Sequence, residues 1–166
     1  MVFKPDVAHS SISFKIRHFF TPVHGSFGEV DATITYDPEN VTASNASATI
    51  QVNSVDTNND DRDEHLNNED FFHSDENPVI MFQSSSWKAK GENEFTVAGE
   101  LTMAGQSHPV TLDVTLLGIK ERDGAKVSGW QIETTLDRRD WGITYGQGIV
   151  GNEVTVDISL QAPESE

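Results

Sequence analysis

Histidines and carboxylates are the side chains of this chain that could bind a metal or move protons near neutral pH. No two histidines form a His-Glu-x-x-His pair, and no two share one strand face with a carboxylate at ligand spacing. The six histidines are scattered as His9, His18, His24, His65, His73 and His108. Because the chain has no cysteine, thiolate metal sites and disulfides are excluded. The sequence therefore predicts no metal and no metal cofactor.

A calcium-binding loop is suggested by Asp56, Asn58 and Asp60, whose spacing matches the first oxygen ligands of such a loop. The loop requires glycine at its sixth position and glutamate at its twelfth. This chain has Asp61 and Asn67 there. The calcium interpretation is therefore rejected.

Motifs of nucleophilic and nucleotide chemistry are also missing from the sequence. Ser10 and Ser11 follow His9, but no G-x-S-x-G elbow surrounds them. There is no phosphate-binding loop and no dinucleotide fingerprint, and Gly146-x-Gly148 stands alone. These absences leave no motif to which a catalytic role could be assigned.

Arginines are scarce enough that each one is informative, since 11 Lys and Arg side chains face 27 Asp and Glu. Arg62 lies within an acidic stretch at residues 60–68. It forms either a salt bridge between a helix and the rest of the fold or a contact to an anionic headgroup, because its planar fork pairs with carboxylate and phosphate oxygens. The Arg138-Arg139 pair has the same two interpretations.

The formal net charge of −16 limits the class of partner. A field of this sign repels nucleic-acid phosphates and anionic membrane surfaces, so we expect no nucleic-acid partner. No stretch approaches the roughly 18 apolar residues of a membrane span, and we expect no stable membrane insertion. The excess of acidic residues either keeps the protein soluble or indicates a host with high internal salt, where the salt screens the repulsion between surface charges.

The elements that would position a site are strands in which apolar and polar residues alternate, the mark of a strand with one buried face. The alternation is clear over residues 11–17, 30–36, 46–52, 95–103, 110–116 and 154–160, and less clean over 79–87 and 127–136. Asp123-Gly124 is the strongest hairpin signal. Residues 60–68 break the alternation and predict one short helix, capped by a preceding Asn or Asp, in the long connection.

About eight amphipathic strands in meander order predict a single all-β domain over residues 1–166, either a sandwich or a closed antiparallel barrel. A barrel of this size is either filled by its side chains or holds one small ligand. Small inward residues such as Ala32, Ala46 and Ala48 leave room for a ligand, which aromatic residues such as Trp130 would line or cap. A packed core is the alternative, and it is the commoner role of an apolar stripe.

Five stretches, in order along the chain, carry a resemblance to a known family. They are residues 9–14 with His18, Gly25-Ser26-Phe27, residues 57–82 around Arg62-Asp63-Glu64-His65-Leu66, residues 99–112 beginning Gly99-Glu100-Leu101-Thr102, and Arg139-Asp140-Trp141-Gly142-Ile143. Together they resemble the YceI-like family of bacterial polyisoprenoid-binding proteins. The match runs from about residue 9 to about residue 160, with Trp141 standing where Phe is common in the family.

The resemblance implies an eight-stranded, lipocalin-like barrel with a long apolar tunnel and no catalytic residues. We therefore expect a protein that is not an enzyme. It implies a bound polyisoprenoid, isoprenoid quinone or fatty amide, held for transport or storage, with no other cofactor. We expect the tunnel to be lined by Phe14, Ile16, Ile34, Phe71, Phe72, Phe82, Leu101, Met103, Leu112 and Trp141. We expect a polar mouth formed by Arg62, His65 and Arg139.

Two other functions remain open at this stage. A filled barrel would act as a structural or interaction protein without an exchangeable ligand. An enzyme acting on an isoprenoid-type substrate would use His18 or His65 as its base. An unpaired barrel edge would support a homodimer. No apolar leader precedes the first strand, so we expect a cytoplasmic protein, or a periplasmic one if a leader has been removed.

Overall fold

The computed structural model describes residues 1–165, which form one curled antiparallel sheet and a single α-helix. The strands are β1 (Val2–Phe3), β2 (Ser11–His18), β3 (Thr21–Phe27), β4 (Val30–Thr35), β5 (Asn45–Gln51), β6 (Val55–Asp56), β7 (Val79–Gly91), β8 (Glu94–Met103), β9 (Gln106–Arg122), β10 (Ala125–Asp137) and β11 (Val150–Pro163). Helix α1 spans Asp60–Asn67, and short 3-10 helices occupy Val7–His9, Val41–Ala43, Val52–Ser54 and Arg138–Trp141. The predicted all-β class with one short helix is confirmed.

Eleven strand segments build an eight-stranded barrel because three barrel strands are interrupted. The segments are neighbours in the order β1-β4-β5-β7-β8-β9-β10-β11-β2-β3-β6. Strand β3 continues into β4 across residues 28–29, β5 continues into β6 across Val52–Ser54, and β1 leads into β2 across residues 4–10. Counting each interrupted pair as one strand removes three from eleven and leaves the predicted eight.

The pairings close this sheet into a ring. Strand β11 pairs with β2, β2 pairs with β3, and the β3–β4 unit pairs with the β5–β6 unit. Across the interruption of both units, the Gln51 N–H donates to the Glu29 carbonyl oxygen at 2.9 Å. The N-terminal residues close the remaining gap, which lies between β4 and β11. Strand β1 pairs with β4, and the Lys4 N–H donates to the carbonyl oxygen of Pro163 in β11 at 3.1 Å. Each barrel strand therefore has a neighbour on both sides.

The hairpin predicted at Asp123-Gly124 joins β9 to β10. The two residues have φ values of 54° and 82°, which are the left-handed values that a two-residue type I′ turn requires. Ala104 and Gly105 join β8 to β9 with similar values of 51° and 76°. The sequence does not indicate this second turn, because alanine is not a residue expected at its first position.

Helix α1 begins where the sequence predicts it. Asn59 is the N-cap, and its side-chain oxygen accepts a hydrogen bond from the Arg62 N–H at 3.0 Å. Aspartates in the first turn interact favourably with the positive end of the helix dipole. Leu66 in the last turn reaches the interior of the barrel, so α1 covers one of the two barrel ends. We call this the α1 end.

The core consists of two apolar clusters near opposite ends of the barrel. The cluster far from α1 brings together Tyr36, Trp87, Phe95 and Trp130, in which five ring pairs have centroids between 5.4 and 6.5 Å apart. We call this the aromatic end. The cluster at the α1 end is formed by Val52, Ile80, Met103, Val110, Trp141 and Ile143. The space between the two clusters decides whether the barrel is filled or hollow.

Candidate ligand-binding cavity

An elongated cavity of about 240 Å³ lies inside the barrel. Because side chains alternate across each strand, one face of every long strand supplies part of its wall. The wall runs from Trp87 and Trp130 at the aromatic end to Leu66 and Phe72 at the α1 end. Along β10 alone, the wall residues from Trp130 to Leu136 span roughly 20 Å. The free space is therefore long and narrow.

Small side chains leave this space open. The alanines that sequence analysis picked out as inward-facing all lie in the wall, as Ala32, Ala46 and Ala48. They come from the paired strands β4 and β5, in which Ala32 is directly opposite Ala48. Two methyl groups on facing positions fill far less volume than the leucine or isoleucine side chains on other strands, so the interior is not fully packed at this side.

Most of the apolar residues proposed from sequence lie in the cavity wall. These are Phe14, Ile16, Ile34, Phe72, Phe82, Leu101, Met103 and Leu112. Trp141 is only 1% exposed but lies outside the wall, with its indole N–H donating to the Leu101 carbonyl oxygen at 2.8 Å. Phe71 also lies outside the wall and packs edge-on against His65 and Tyr145, with centroids 5.0 and 5.4 Å away. Contact of any of these residues with a ligand stays a prediction.

The polar residues proposed for a mouth have protein partners and do not line the cavity. Arg62 donates from Nε to the Thr57 hydroxyl at 2.8 Å and from Nη2 to the Thr57 carbonyl oxygen at 2.6 Å. His65 Nε2 lies 2.9 Å from an Asp70 carboxylate oxygen. Both residues thus hold α1 and its flanking segments together in this structure.

Arg139, the third mouth candidate, forms an exposed ion pair with Asp137. Its Nε lies 3.0 Å from one Asp137 oxygen and its Nη2 lies 2.6 Å from the other. The Arg139 backbone N–H donates to the same carboxylate at 3.0 Å. The side-chain hydrogen bonds, followed by the backbone one, lower the pKa of Asp137 to about 2. Arg139 is therefore engaged at the surface.

Arg138 is a wall residue that sequence analysis did not select. It is 3% exposed and lies at the α1 end of the cavity together with Leu66, Phe72 and Ile143. Its Nε donates to the Gly151 carbonyl oxygen at 2.9 Å, and its Nη2 donates to that of Val150 at 3.2 Å. Within residues 1–165, its Nη1 is buried without a hydrogen-bond partner.

The signal that identifies Arg138 was present in the sequence. The wall residues of β10 are Trp130, Ile132, Thr134 and Leu136, every second position. Extending this period of two by one more step reaches Arg138 and not Arg139. Burial disfavours the charged form and lowers the pKa of Arg138 from its ordinary value, although arginine stays protonated in proteins.

The indole N–H groups at the aromatic end are satisfied by serines. Trp130 Nε1 donates to the Ser128 hydroxyl at 2.8 Å, and Trp87 Nε1 donates to the Ser84 hydroxyl at 3.3 Å. Each ring therefore has its polar atom engaged and presents carbon atoms to its other neighbours. This end of the cavity offers apolar surface to a ligand.

The candidate bases and metal ligands are not gathered at the cavity. His18 is exposed at the end of β2, and neither His18 nor His65 lines the cavity. Within residues 1–165, no three His, Asp or Glu side chains are grouped in a way that would bind a metal ion. In the same part of the chain, none of the helices has the length and apolarity that crossing a bilayer demands.

Comparison with known proteins identifies relatives over almost the whole chain. The family model described as the YceI-like domain matches residues 3–162. Protein YceI of Salmonella arizonae is 34% identical over 160 residues, which cover 95% of this chain and 83% of that protein. The crystal structure of Burkholderia cenocepacia BcnA superposes with a TM-score of 0.84 at 26% identity, covering 95% of this chain and 98% of that one.

A more distant solved structure has the same fold. It is described as a polyisoprenoid binding domain from Saccharophagus degradans implicated in plant cell wall breakdown. It superposes with a TM-score of 0.77 at 16% identity, covering 99% of this chain and 98% of that one.

Proposed function

This chain belongs to the YceI-like family, and we propose that it is a binding protein, and not an enzyme, that holds one chain-like lipid inside its barrel. The observation that carries the proposal is the cavity, whose wall is made almost entirely of apolar side chains from one end of the barrel to the other. A polyisoprenoid, an isoprenoid quinone or a fatty amide has the required long apolar chain. The shared fold with a domain described as polyisoprenoid-binding supports this choice.

The energy of binding would come from burial of apolar surface. Each methylene that leaves water for such a wall contributes about 0.8 kcal/mol. The cavity volume of about 240 Å³ is below the roughly 300–1,000 Å³ of typical drug-sized pockets. A slender chain laid along the barrel axis suits this space better than a compact ring system.

A native extraction tests the proposal directly. The protein is purified without detergent and extracted with organic solvent, and the extract is analysed by mass spectrometry. We expect a lipid with a long apolar chain in near-stoichiometric amount. An extract without lipid, together with no thermal stabilisation by added polyprenol, quinone or fatty amide, would contradict the proposal and favour a filled barrel.

Leu101→Trp tests whether the cavity is the binding site. Leu101 lies in the wall next to Phe82 on the adjacent strand, so a larger side chain there takes up space along the tunnel. Excluding two methylenes of the ligand weakens binding by roughly tenfold. The measurement is a titration with a fluorescent polyene fatty acid.

Leu117→Trp is the matched control for this experiment. Leu117 is 67% exposed on β9 and lies outside the wall, so the same substitution there should leave the affinity unchanged. A folded Leu101→Trp variant that binds the probe as tightly as the wild type would show that the ligand lies elsewhere.

A further inference from the structure

Arg138 is a buried cation whose hydrogen bonds are incomplete. Two carbonyl oxygens, those of Gly151 and Val150, occupy Nε and Nη2. Because the guanidinium is planar, these contacts use one edge of the group, and the buried Nη1 on its other side has no hydrogen-bond partner among residues 1–165. Buried polar atoms in folded proteins nearly always have a partner, so an unpaired one at the wall of a cavity requires an explanation.

Arg138 also has no ion-pair partner. Burial lowers the pKa of Arg138 and the charge of its sequence neighbour Asp137 raises it in part, but the Asp137 carboxylate is hydrogen-bonded by Arg139 through a bidentate pair. Among residues 1–165, no carboxylate lies within salt-bridge distance of Arg138. A buried charge is normally paired, because removing it from water is costly.

The rest of the wall offers no second charged group. The other polar wall residues are Ser13, Ser47 and Thr134, and the Thr134 hydroxyl already donates to the Thr111 carbonyl oxygen. Arg138 is thus the only charged side chain among the described residues that line the cavity. It lies at the α1 end, whereas the opposite end is formed by Trp87 and Trp130.

We infer that Arg138 binds the polar end of the ligand, and that this ligand carries a carboxylate at the end of its apolar chain. Nη1 donates to a carboxylate oxygen, and the single negative charge neutralises the guanidinium in an apolar setting. A doubly charged phosphate would leave excess charge in a wall that has one cation. The inference rests on the proposed function and changes its headgroup class, because a polyisoprenoid, a quinone and a fatty amide carry no carboxylate. It also adds an orientation, with the headgroup at the α1 end and the chain directed towards the aromatic end.

The decisive experiment compares two probes that differ only at the headgroup. A polyene fatty acid and its methyl ester are titrated into the wild-type protein at pH 8, where the acid is ionised. A charge-assisted hydrogen bond to a buried group predicts that the acid binds about tenfold or more tightly than the ester. Equal affinity for the two probes would overturn the inference, whereas failure to bind either probe would overturn the proposed function.

Separate substitutions of the two arginines show which residue causes the preference for the acid over the ester. Arg138→Gln keeps a side-chain amide that can donate to a carbonyl oxygen but removes the charge, so the preference for the acid should fall to near unity while the ester still binds. Arg139→Gln is the control, because Arg139 is paired at the surface and its loss should leave the preference intact. Ester binding by Arg138→Gln also shows that the variant is folded, and a preference that survives in it would overturn the assignment.

Discussion

At the residue scale, Arg138 and Arg139 show that a step of one position reverses the surroundings of a side chain. Arg138 continues the interior face of β10 and is almost completely buried, whereas Arg139 turns outward and pairs with Asp137. The two arginines therefore have different consequences. Arg138 is the residue that we propose to bind the ligand, whereas Arg139, through its pair with Asp137, affects how the stability of the fold depends on pH.

The Asp137–Arg139 pair should stabilise the fold only where Asp137 is ionised. The folded pKa of Asp137 is about 2 against an ordinary value of 3.8, so the stabilisation is present above pH 3.8 and is lost as pH falls towards 2. We expect wild type to melt at a higher temperature than Arg139→Gln at pH 6, with the difference closing between about pH 4 and pH 2. Melting followed by circular dichroism measures this.

Arg122→Gln is the comparison for the pH experiment. Arg122 lies 3.9 Å from Asp123 at an exposed hairpin, and loose exposed pairs contribute little. Its melting temperature should follow that of wild type at every pH. A difference between wild type and Arg139→Gln that stays constant down to pH 2 would show that Asp137 is not responsible.

At the scale of elements, two glycines let aromatic rings lie close against neighbouring strands. A Cβ atom on Gly25 would lie 2.2 Å from Phe14 Cζ, and one on Gly99 would lie 2.3 Å from Phe82 Cε2. Gly25 on β3 is directly opposite Phe14 on β2. Both rings belong to the cavity wall, so these glycines determine how much of the interior the rings occupy.

Gly25→Ala should therefore destabilise the barrel. The Phe14 ring has to leave its position over β3, and such overpacking costs about 1–3 kcal/mol. Gly28→Ala is the matched control, because a Cβ atom there meets nothing within 4 Å and its backbone is not in the left-handed region. Urea denaturation measures both variants. Equal midpoints for Gly25→Ala and Gly28→Ala would show that the ring moves without cost.

Most long strands and the helix were predictable because alternation and capping are local properties of the sequence. Strand β3 was not predicted, because Gly25 stands where the alternation requires an apolar side chain. Strand β6 was not predicted either, because its two residues are too few to show an alternation. Strand alternation could have found Arg138, which directly follows the end of β10 and lies one step beyond Leu136. It could not place Trp141, because this residue ends the 3-10 helix that Arg138 begins, and strand alternation no longer applies three residues into that helix.

At the scale of the whole molecule, the closed sheet limits how two copies could associate, and the net charge affects the stability of the fold. The sequence left open a homodimer formed through an unpaired sheet edge, but each barrel strand within residues 1–165 has a neighbour on both sides. A dimer would therefore have to form through side chains.

The net charge of −16 opposes compact folding by self-repulsion, and ion pairs such as Lys4–Asp31 and Lys90–Asp113 offset only part of this repulsion.

Salt should consequently raise the melting temperature. Between about 0.1 M and 1 M ionic strength the Debye length falls from ~10 Å to ~3 Å, which screens repulsion between surface carboxylates. The rise should be the same in NaCl and KCl, because screening does not depend on the identity of the monovalent cation. Calorimetry at constant pH measures the melting temperature at each salt concentration. A melting temperature that stays constant or falls as salt is added would show that self-repulsion does not limit stability.

The positions of the tryptophans have an optical consequence. Of the three indoles in the chain, Trp87 and Trp130 line the cavity and Trp141 does not. A ligand chain that reaches the aromatic end would contact the first two rings and change their emission, whereas a chain that stops short of that end would not. The fluorescence of these two indoles would show where the tail of the ligand lies, independently of the headgroup and without an attached dye.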